Sequence, residues 1–468
     1  MSQPRAPVGV GLDLHLEFAV GEGRRGGLER ALRDAVRDGR LAPGALLPAT
    51  RRLAEELGIS RGTVKAAYDQ LVAEGFLTAR QGAGTQVAAL SSAAAEPPEA
   101  QARARVPRFD LRPGSPDVGT FPADAWLRAL RRAIASAPSL AYDYGDPRGR
   151  IELRTALSGY LGRARGVLAP PERIVITSGY VQGLALLTRV LDGATVAMED
   201  PGLPFHREVV RRAGGRVVPV GVDERGARVE ELAARRQVSA VVVTPAHQYP
   251  TGVTLHPARR RALTDWARAR DGLIVEDDYD GEFRYDRQPV GALQGMAPGQ
   301  VAYIGTASKT LGPALRLGWM VLPPYLVDAV ADAKLHSDHH TETIGQLALA
   351  ELITSHAYDR HVRACRLRYR RRRDRLVELL GARRNVRGIA AGLHALVEVA
   401  DEAAVLARAE EAGLAVGHLG EHWHAPGEGP EAGAAGGRAQ GLVVGYGTPR
   451  ERVYPEALEV LGRVLEGG

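Results

Sequence analysis

Apolar residues recur one helical turn apart from the first ordered-looking stretch of the chain. Leu28, Leu32 and Val36 share a helical face before Gly39 and Pro43-Gly44 stop the run. Thr50 is expected to cap a second helix with Leu53, Ala54 and Leu57 inward and Gly58 at its end. Ser60 is expected to cap a third, with Val64, Ala67, Tyr68 and Leu71 inward. Two short helices separated by Gly58-Ile59 form a helix-turn-helix pattern. Phe76-Leu77-Thr78 and Thr85-Gln86-Val87, joined through Arg80-Gln81-Gly82-Ala83-Gly84, predict a small hairpin, or wing. Between about 89 and 107 periodicity stops, and Ser91-Ser92-Ala93 through Pro97-Pro98 with an Arg/Ala tract predicts a linker.

From about 108 short apolar runs alternate with amphipathic helices. The runs are Arg173 to Thr177, Thr195 to Met198, Val238 to Val243, Leu273 to Glu276 and Val301 to Ile304. Nearly continuous Val/Ile strands between helices predict an α/β fold whose mostly parallel sheet is covered on both faces. Ligands of such sheets sit at the carboxyl ends of the strands. After about 320 come longer helices, then Gly392 to Val399 and Gly441 to Tyr446, which predict a small C-terminal α+β lobe. The expected organisation is a helical unit at 1–88 with its core at about 27–87, a linker at 89–107, and a large unit at 108–468 whose small lobe covers about 320–468.

Composition narrows this modestly. At 468 residues the chain exceeds one ordinary core. With 45% hydrophobic and 25% charged residues it has the mix of a soluble globular protein, and a formal charge of +6 permits an anionic partner. The lone Cys365 excludes an intrachain disulfide framework and fits a reducing compartment. The apolar run Val8 to Leu12 is too short for a signal segment, and no apolar stretch approaches bilayer-spanning length, so a cytoplasmic protein is expected.

The candidate chemistry begins with lysine. The chain is rich in arginine but has only three lysines, Lys65, Lys309 and Lys334, and Lys309 lies in the small, hydroxylated stretch Gly305-Thr306-Ala307-Ser308-Lys309-Thr310-Leu311. A primary amine can lose its proton and attack a carbonyl, which a guanidinium cannot, so Lys309 reads as a Schiff-base lysine, with an ordinary loop lysine as the alternative. Ser178, Gly179 and Tyr180 follow a strand and open a helix, where backbone N–H groups can hold a phosphate or simply cap a turn. Asp277, Asp278 and Asp280 would be costly to bury without a cationic partner. A protonated pyridine nitrogen suits Asp277; a hydrated acidic loop and a divalent-metal site are the alternatives, and no clustered histidine accompanies them in sequence. Thr306, Ser308 and Arg316 together suit a phosphate, although a structural ion pair would account for Arg316 alone.

In order, Tyr144-Gly145-Asp146-Pro147, Thr177-Ser178-Gly179, Glu199-Asp200-Pro201-Gly202, Thr244 to Gly252, Glu276 to Asp280 and Ser308-Lys309 through Arg316-Leu317-Gly318 resemble the fold-type I aminotransferases that carry pyridoxal 5′-phosphate, over about 108–460. The resemblance implies that Lys309 holds this cofactor as a Schiff base and that Asp277 pairs with its pyridine nitrogen. It implies that Tyr279 meets the phenolic oxygen and that Gly179, Tyr180, Thr306, Ser308 and Arg316 hold the phosphate. Tyr144 would reach in from the second subunit of a homodimer. No metal is implied. Two departures stand out. Tyr249 replaces the asparagine usual before Pro-Thr-Gly, and Leu203 replaces an aromatic residue, forgoing roughly 0.5–1.5 kcal/mol of ring stacking that Phe205 or His247 is expected to restore.

The segment Gly39 to Val64, with Tyr68 to Leu77 and the wing at Gly82-Ala83-Gly84-Thr85, resembles the winged helix-turn-helix of the GntR family. That resemblance implies contacts to double-stranded operator DNA from Arg51, Ser60, Arg61, Thr63 and Lys65, with Gln81 and Gly82 in the wing. Gly62 lacks a side chain for base readout. The basic tract Arg363 to Arg375 reads as a solvated helix face rather than a second DNA site.

A GntR-type unit joined to an aminotransferase-like one resembles the MocR/GabR-type regulators. This implies a pyridoxal-phosphate-dependent transcriptional regulator sensing an amine, an amino acid or pyridoxal phosphate itself, in a head-to-tail homodimer, with RNA polymerase as a further partner if it activates. The alternative is a working aminotransferase with a DNA-binding appendage. Arg207 and Arg438 are the candidates for gripping an effector carboxylate.

Overall fold

The computed structural model describes residues 23–80, 84–89, 107–285, 290–381, 386–424 and 438–466. It divides into two compact units, residues 1–104 and 105–468. The expected linker lies almost wholly outside the described residues, as do Gln81 and Gly82.

In the first unit α1 (Arg24–Arg37), α2 (Thr50–Leu57) and α3 (Arg61–Ala73) precede the hairpin of β1 (Leu77–Arg80) and β2 (Gly84–Val87). Leu28, Leu32, Leu53, Val64, Tyr68 and Leu71 close one core. Thr50 is the first helical residue of α2 rather than its cap; Ala49 holds that position, without a side-chain bond. Ser60 does cap α3, its hydroxyl accepting from the Thr63 N–H at 3.0 Å.

The second unit begins with β3 (Phe109–Leu111), α4 (Ala123–Ser136) and α5 (Ile151–Arg165). It continues through β4 (Ile174–Thr177), α6 (Tyr180–Val190), β5 (Thr195–Asp200), α7 (Pro204–Arg212), β6 (Arg216–Asp223), β7 (Gly226–Ala227), β8 (Val238–Val243) and α8 (Pro257–Arg270). Then follow β9 (Leu273–Asp278), β10 (Val301–Thr306), β11 (Gly318–Val321), α9 (Pro324–Asp338), α10 (Thr343–Thr354) and α11 (Ala357–Leu380). The chain ends with β12 (Val386–Arg387), β13 (His394–Glu398), α12 (Glu402–Glu411), β14 (Leu414–His418), β15 (Gly441–Gly445) and α13 (Tyr454–Glu466).

Eight strands form the large sheet in the order β4-β11-β10-β9-β8-β5-β6-β7. Strands β10, β9, β8, β5 and β6 run parallel, and β11 lies antiparallel between β10 and β4. Alternate residues of one strand face opposite layers. Val175 packs with α6, α7 and α9, whereas Ile174 and Ile176 pack with α5 and α10. Burying such a side chain contributes about 1.5–3 kcal/mol relative to leaving it exposed. The pattern of short apolar runs missed β6, whose polar ends and Pro219 blur the signal, and β11, a four-residue strand.

The small lobe is a five-stranded sheet, β12-β13-β15-β14-β3, covered by α11, α12 and α13. It recruits β3 from the start of the unit, which runs parallel to β14, while α9 and α10 pack on the large sheet's layers. The basic stretch of α11 is not wholly a solvated face. Its inward stripe is Val362, Cys365, Tyr369, Arg372 and Leu376, and Arg372 is only 1% exposed. That guanidinium donates to Asp117 at 2.7 Å, to Glu451 at 2.8 Å and to the Pro449 carbonyl at 2.7 Å. The arginine belongs to the core because its donors are all met there.

Candidate functional site

The carboxyl ends of β5, β8, β9 and β10, with the start of α6, wall a cavity of about 330 Å3. Lys309 reaches it from the β10–β11 loop. Thr306 and Gly318 pair across that hairpin, and the Ala307 N–H bonds the Leu317 carbonyl at 3.0 Å, so the antiparallel β11 holds the lysine loop closed over the sheet edge. The Lys309 Nζ donates to the Gly114 carbonyl. Burial lowers its basicity against the opposing charges of Asp280 and Asp277, so the amine releases its proton more readily than an exposed lysine.

The acidic cluster at the end of β9 divides by face. Glu276 accepts from the backbone N–H groups of Leu293 and Gln294 at 2.7 and 2.8 Å, and burial pushes its carboxyl up to about 7. Asp278 takes Arg165 in two bonds of 2.6 and 2.9 Å and the Tyr303 hydroxyl at 2.7 Å. Asp280 meets His247 at 2.8 Å. Asp277, between them on the cavity side, is 5% exposed and its Oδ1 has no hydrogen-bond partner among the described residues. Burial first, then the charges of Asp278 and Asp280, push that carboxyl well above the usual range, against the nearby Tyr180 hydroxyl and Lys309.

Beside Asp277 stands a ring that sequence reasoning missed. His206 lies 3.9 Å from its carboxylate and stacks on Tyr180 at 4.5 Å between centroids. Burial and the charge of Lys309 hold His206 down to about 3, so its imidazole is neutral. Phe205 is exposed and His247 sits behind Tyr279, outside the cavity lining, so neither restores the aromatic surface that Leu203 lacks; His206 is the ring at hand. A histidine one residue past Phe205 carried no motif, and only the turn of α7 aims it inward.

At the other end Arg316, in a left-handed conformation at φ +52°, donates to the Ser178 carbonyl. Gly179, at φ +93°, is pressed beneath that guanidinium: a Cβ there would lie 3.1 Å from it. The Thr306 hydroxyl donates to Ser308 Oγ at 2.8 Å and accepts from the Ser308 N–H at 3.1 Å. Thr306, Ser308, Arg316 and the start of α6 thus gather hydroxyls, a guanidinium and a helix N-terminus around one end of the cavity, a set that can hold a phosphate.

Tyr249 and His394 line the remaining wall with Leu203. His247, Asp280 and His394 place potential ligand atoms within 4.8 Å of one another. Arg207 also lines the cavity, but it donates to the carbonyls of Gly202 at 3.0 Å, His422 at 2.9 Å and Trp423 at 3.1 Å. Arg438 is exposed, donates to the His424 carbonyl at 2.9 Å and lies over Trp423, away from the lining. Tyr144 is 79% exposed, against His339. Within one chain these last two stand apart from Lys309.

In the first unit Arg51 is exposed at the start of α2, and Ser60, Arg61 and Lys65 are exposed at the start of α3, with Thr63 half-buried. Among the described residues Arg51 and Lys65 pair within their own helices, with Glu55 at 3.3 Å and Asp69 at 2.8 Å, at surface positions where such pairs are weak.

Residues 25–87 match the bacterial regulatory proteins of the gntR family, and residues 109–419 match aminotransferase class I and II. The pyridoxine biosynthesis transcriptional regulator PdxR of Corynebacterium glutamicum is 34% identical, covering 91% of this chain and 92% of its own. The probable rhizopine catabolism regulatory protein MocR of Rhizobium meliloti is also 34% identical, over 75% of this chain and 76% of its own. The chain belongs to the MocR/PdxR-type GntR regulators. This MocR-type protein is a transcriptional regulator with an aminotransferase-like domain, and its fold is that of the fold-type I enzymes. Among solved structures, Pyrococcus horikoshii kynurenine aminotransferase, crystallised with PMP, matches at 26% identity and a TM-score of 0.68, covering 77% of this chain and 91% of its own.

Proposed function

We propose that this MocR-type regulator holds pyridoxal 5′-phosphate at Lys309 and that an amine, an amino acid or pyridoxal phosphate acting there changes how its winged helices engage operator DNA. The observation that carries the reading is Asp277, a buried carboxylate with an unpartnered oxygen on the cavity that Lys309 enters. A protonated pyridine nitrogen is the partner it lacks. When bound, the cofactor supplies an aldehyde that condenses with primary amines. This chain's part is to keep the Lys309 amine ready to lose its proton, to hold the phosphate with Thr306, Ser308, Arg316 and Gly179, and to present the Tyr279 hydroxyl to the cavity.

Lys309 also grips the Gly114 carbonyl, three residues after β3 and a short run of chain from the linker to the winged helix. Engaging Lys309 elsewhere frees that carbonyl, which supplies a covalent path from the cavity towards the DNA-binding unit. For this to switch transcription, the two states of Lys309 must differ in free energy between DNA-competent arrangements. The working assembly is a head-to-tail homodimer in the cytoplasm, with Tyr144 contributed across the pair and RNA polymerase recruited if the regulator activates.

The test is titration of the purified protein with pyridoxal 5′-phosphate and then with candidate amines, following visible absorbance and affinity for its own upstream DNA. Lys309→Ala should abolish the amine response and spare DNA contact. Multiple turnovers of amino and keto acids with no change in DNA affinity would instead identify a tethered aminotransferase.

A further inference from the structure

Tyr279 faces the cavity, and two residues stand behind it. His247 Nδ1 lies 3.1 Å from the Tyr279 hydroxyl and 2.8 Å from Asp280 Oδ2. His247 is 3% exposed and Asp280 2% exposed, so water does not compete for either bond. The shorter bond decides the tautomer. A carboxylate only accepts, so Nδ1 must carry a hydrogen to bond it, and a nitrogen carrying that hydrogen cannot accept from tyrosine. The Tyr279 oxygen therefore shares the Nδ1–H as an acceptor, and its own O–H hydrogen is left for the cavity. The arrangement has little room to relax. A side chain on Gly392, at φ +74°, would overlap both His247 and Asp280, so the backbone clamps the pair from behind.

We propose that His247 and Asp280 are positioning residues that turn the Tyr279 hydroxyl into an obligatory donor towards the phenolic oxygen of the cofactor at Lys309. The proposal rests on the cofactor reading above. It makes a specific electrical claim, because a hydrogen bond donated to a phenolate offsets its negative charge and weakens its hold on a proton at the adjacent lysine nitrogen. Loss of the donor raises the pH at which the visible absorbance of the Lys309-bound cofactor changes. The groups facing this relay are Asp280 and His394 around His247, with Asp280, Asp277 and Tyr249 around Tyr279, and all but Asp280, itself replaced in one variant, stay in place below.

The experiment is a pH titration of that absorbance in the cofactor-loaded full chain for wild type, Tyr279→Phe, His247→Leu, Asp280→Asn and the double variant Tyr279→Phe/His247→Leu. His247→Leu should shift the transition upward, in the direction of Tyr279→Phe and by no more than it. Asp280→Asn loses the charge that orients Nδ1–H but also a charge that favours a proton at Lys309, so its transition should lie below that of His247→Leu. The double variant should match Tyr279→Phe alone, because His247 acts only through Tyr279. Additive shifts, or an unmoved transition in His247→Leu, would overturn the proposal. Nitrogen-15 NMR of labelled histidine in the cofactor-free chain reads the tautomer directly. A His247 Nδ1 without its hydrogen refutes this inference, whereas failure of the wild type to develop any visible absorbance refutes the cofactor reading instead.

Discussion

Replacing Asp277 by Asn should move two quantities in opposite directions. In the cofactor-free chain the Asp277 Oδ1 is buried without a partner, and burial has raised its carboxyl well above the usual range. An unsatisfied buried polar group costs about 1–3 kcal/mol, and a charged one more. The amide discards the charge but leaves the same position without a partner, so cofactor-free Asp277→Asn should be more stable at neutral pH only by the excess cost of a charged over a neutral unsatisfied group, on the order of 1 kcal/mol. The pH dependence has a definite sign. With its folded value raised, Asp277 costs no stability below the ordinary carboxylate range, and the cost grows as pH rises towards the raised value, so the gain in the variant grows with pH. With pyridoxal 5′-phosphate bound, the amide no longer balances the charge on the pyridine nitrogen. Removing one partner of a buried pair costs about 3–5 kcal/mol, or roughly a hundredfold to a few thousandfold in Kd at about 1.4 kcal/mol per factor of ten. Calorimetric unfolding of the cofactor-free proteins across about pH 5 to 8, with a fluorescence titration of the cofactor, measures both. A variant that melts lower without cofactor at neutral pH and binds pyridoxal 5′-phosphate as wild type does would refute the assignment.

Arg372→Met should destabilise the large unit by about 3–5 kcal/mol in urea unfolding, because Asp117, itself buried, loses its guanidinium; a loss below about 1 kcal/mol would mean that the cluster relaxes or admits water. Ser60→Ala should lower the stability of the winged-helix unit by about 0.5–2 kcal/mol through the lost cap. Arg61→Ala should leave unfolding unchanged yet weaken DNA binding and, if Arg61 meets a phosphate, reduce the salt slope by about 1, as read by anisotropy at several salt concentrations. Burial lifts Glu199, Glu276 and Glu282 each to about 7, so the cofactor-free protein should lose stability as pH climbs from the ordinary glutamate range through about 7, and Glu276→Gln should flatten part of that slope in a melting series.

Much of this protein was legible in its pattern of residues because the relevant signals are local. Helical spacing in Leu28, Leu32, Val64 and Leu71, the capping hydroxyl of Ser60 and the continuous Val/Ile runs of β8 and β9 each express a preference of a few neighbouring residues. The rarity of lysine drew attention to Lys309 for the same reason, since its chemistry belongs to the side chain itself. What the linear chain could not express was partnership across distance. Three aspartates in the four residues 277–280 at the end of β9 are indistinguishable until the sheet's alternation sends Asp278 to Arg165, the loop turns Asp280 to His247, and Asp277 is left facing the cavity. His206 enters the site only because α7 turns it inward, and Arg372 leaves the solvent only because Asp117 and Glu451, far away in sequence, meet it in the core. Sequence determined which groups this regulator has available and which segments are helix or strand. Tertiary structure decided which charges are matched and left an oxygen of Asp277 unmatched among the described residues, because burial makes a lone charge expensive and only the assembled fold settles where burial falls.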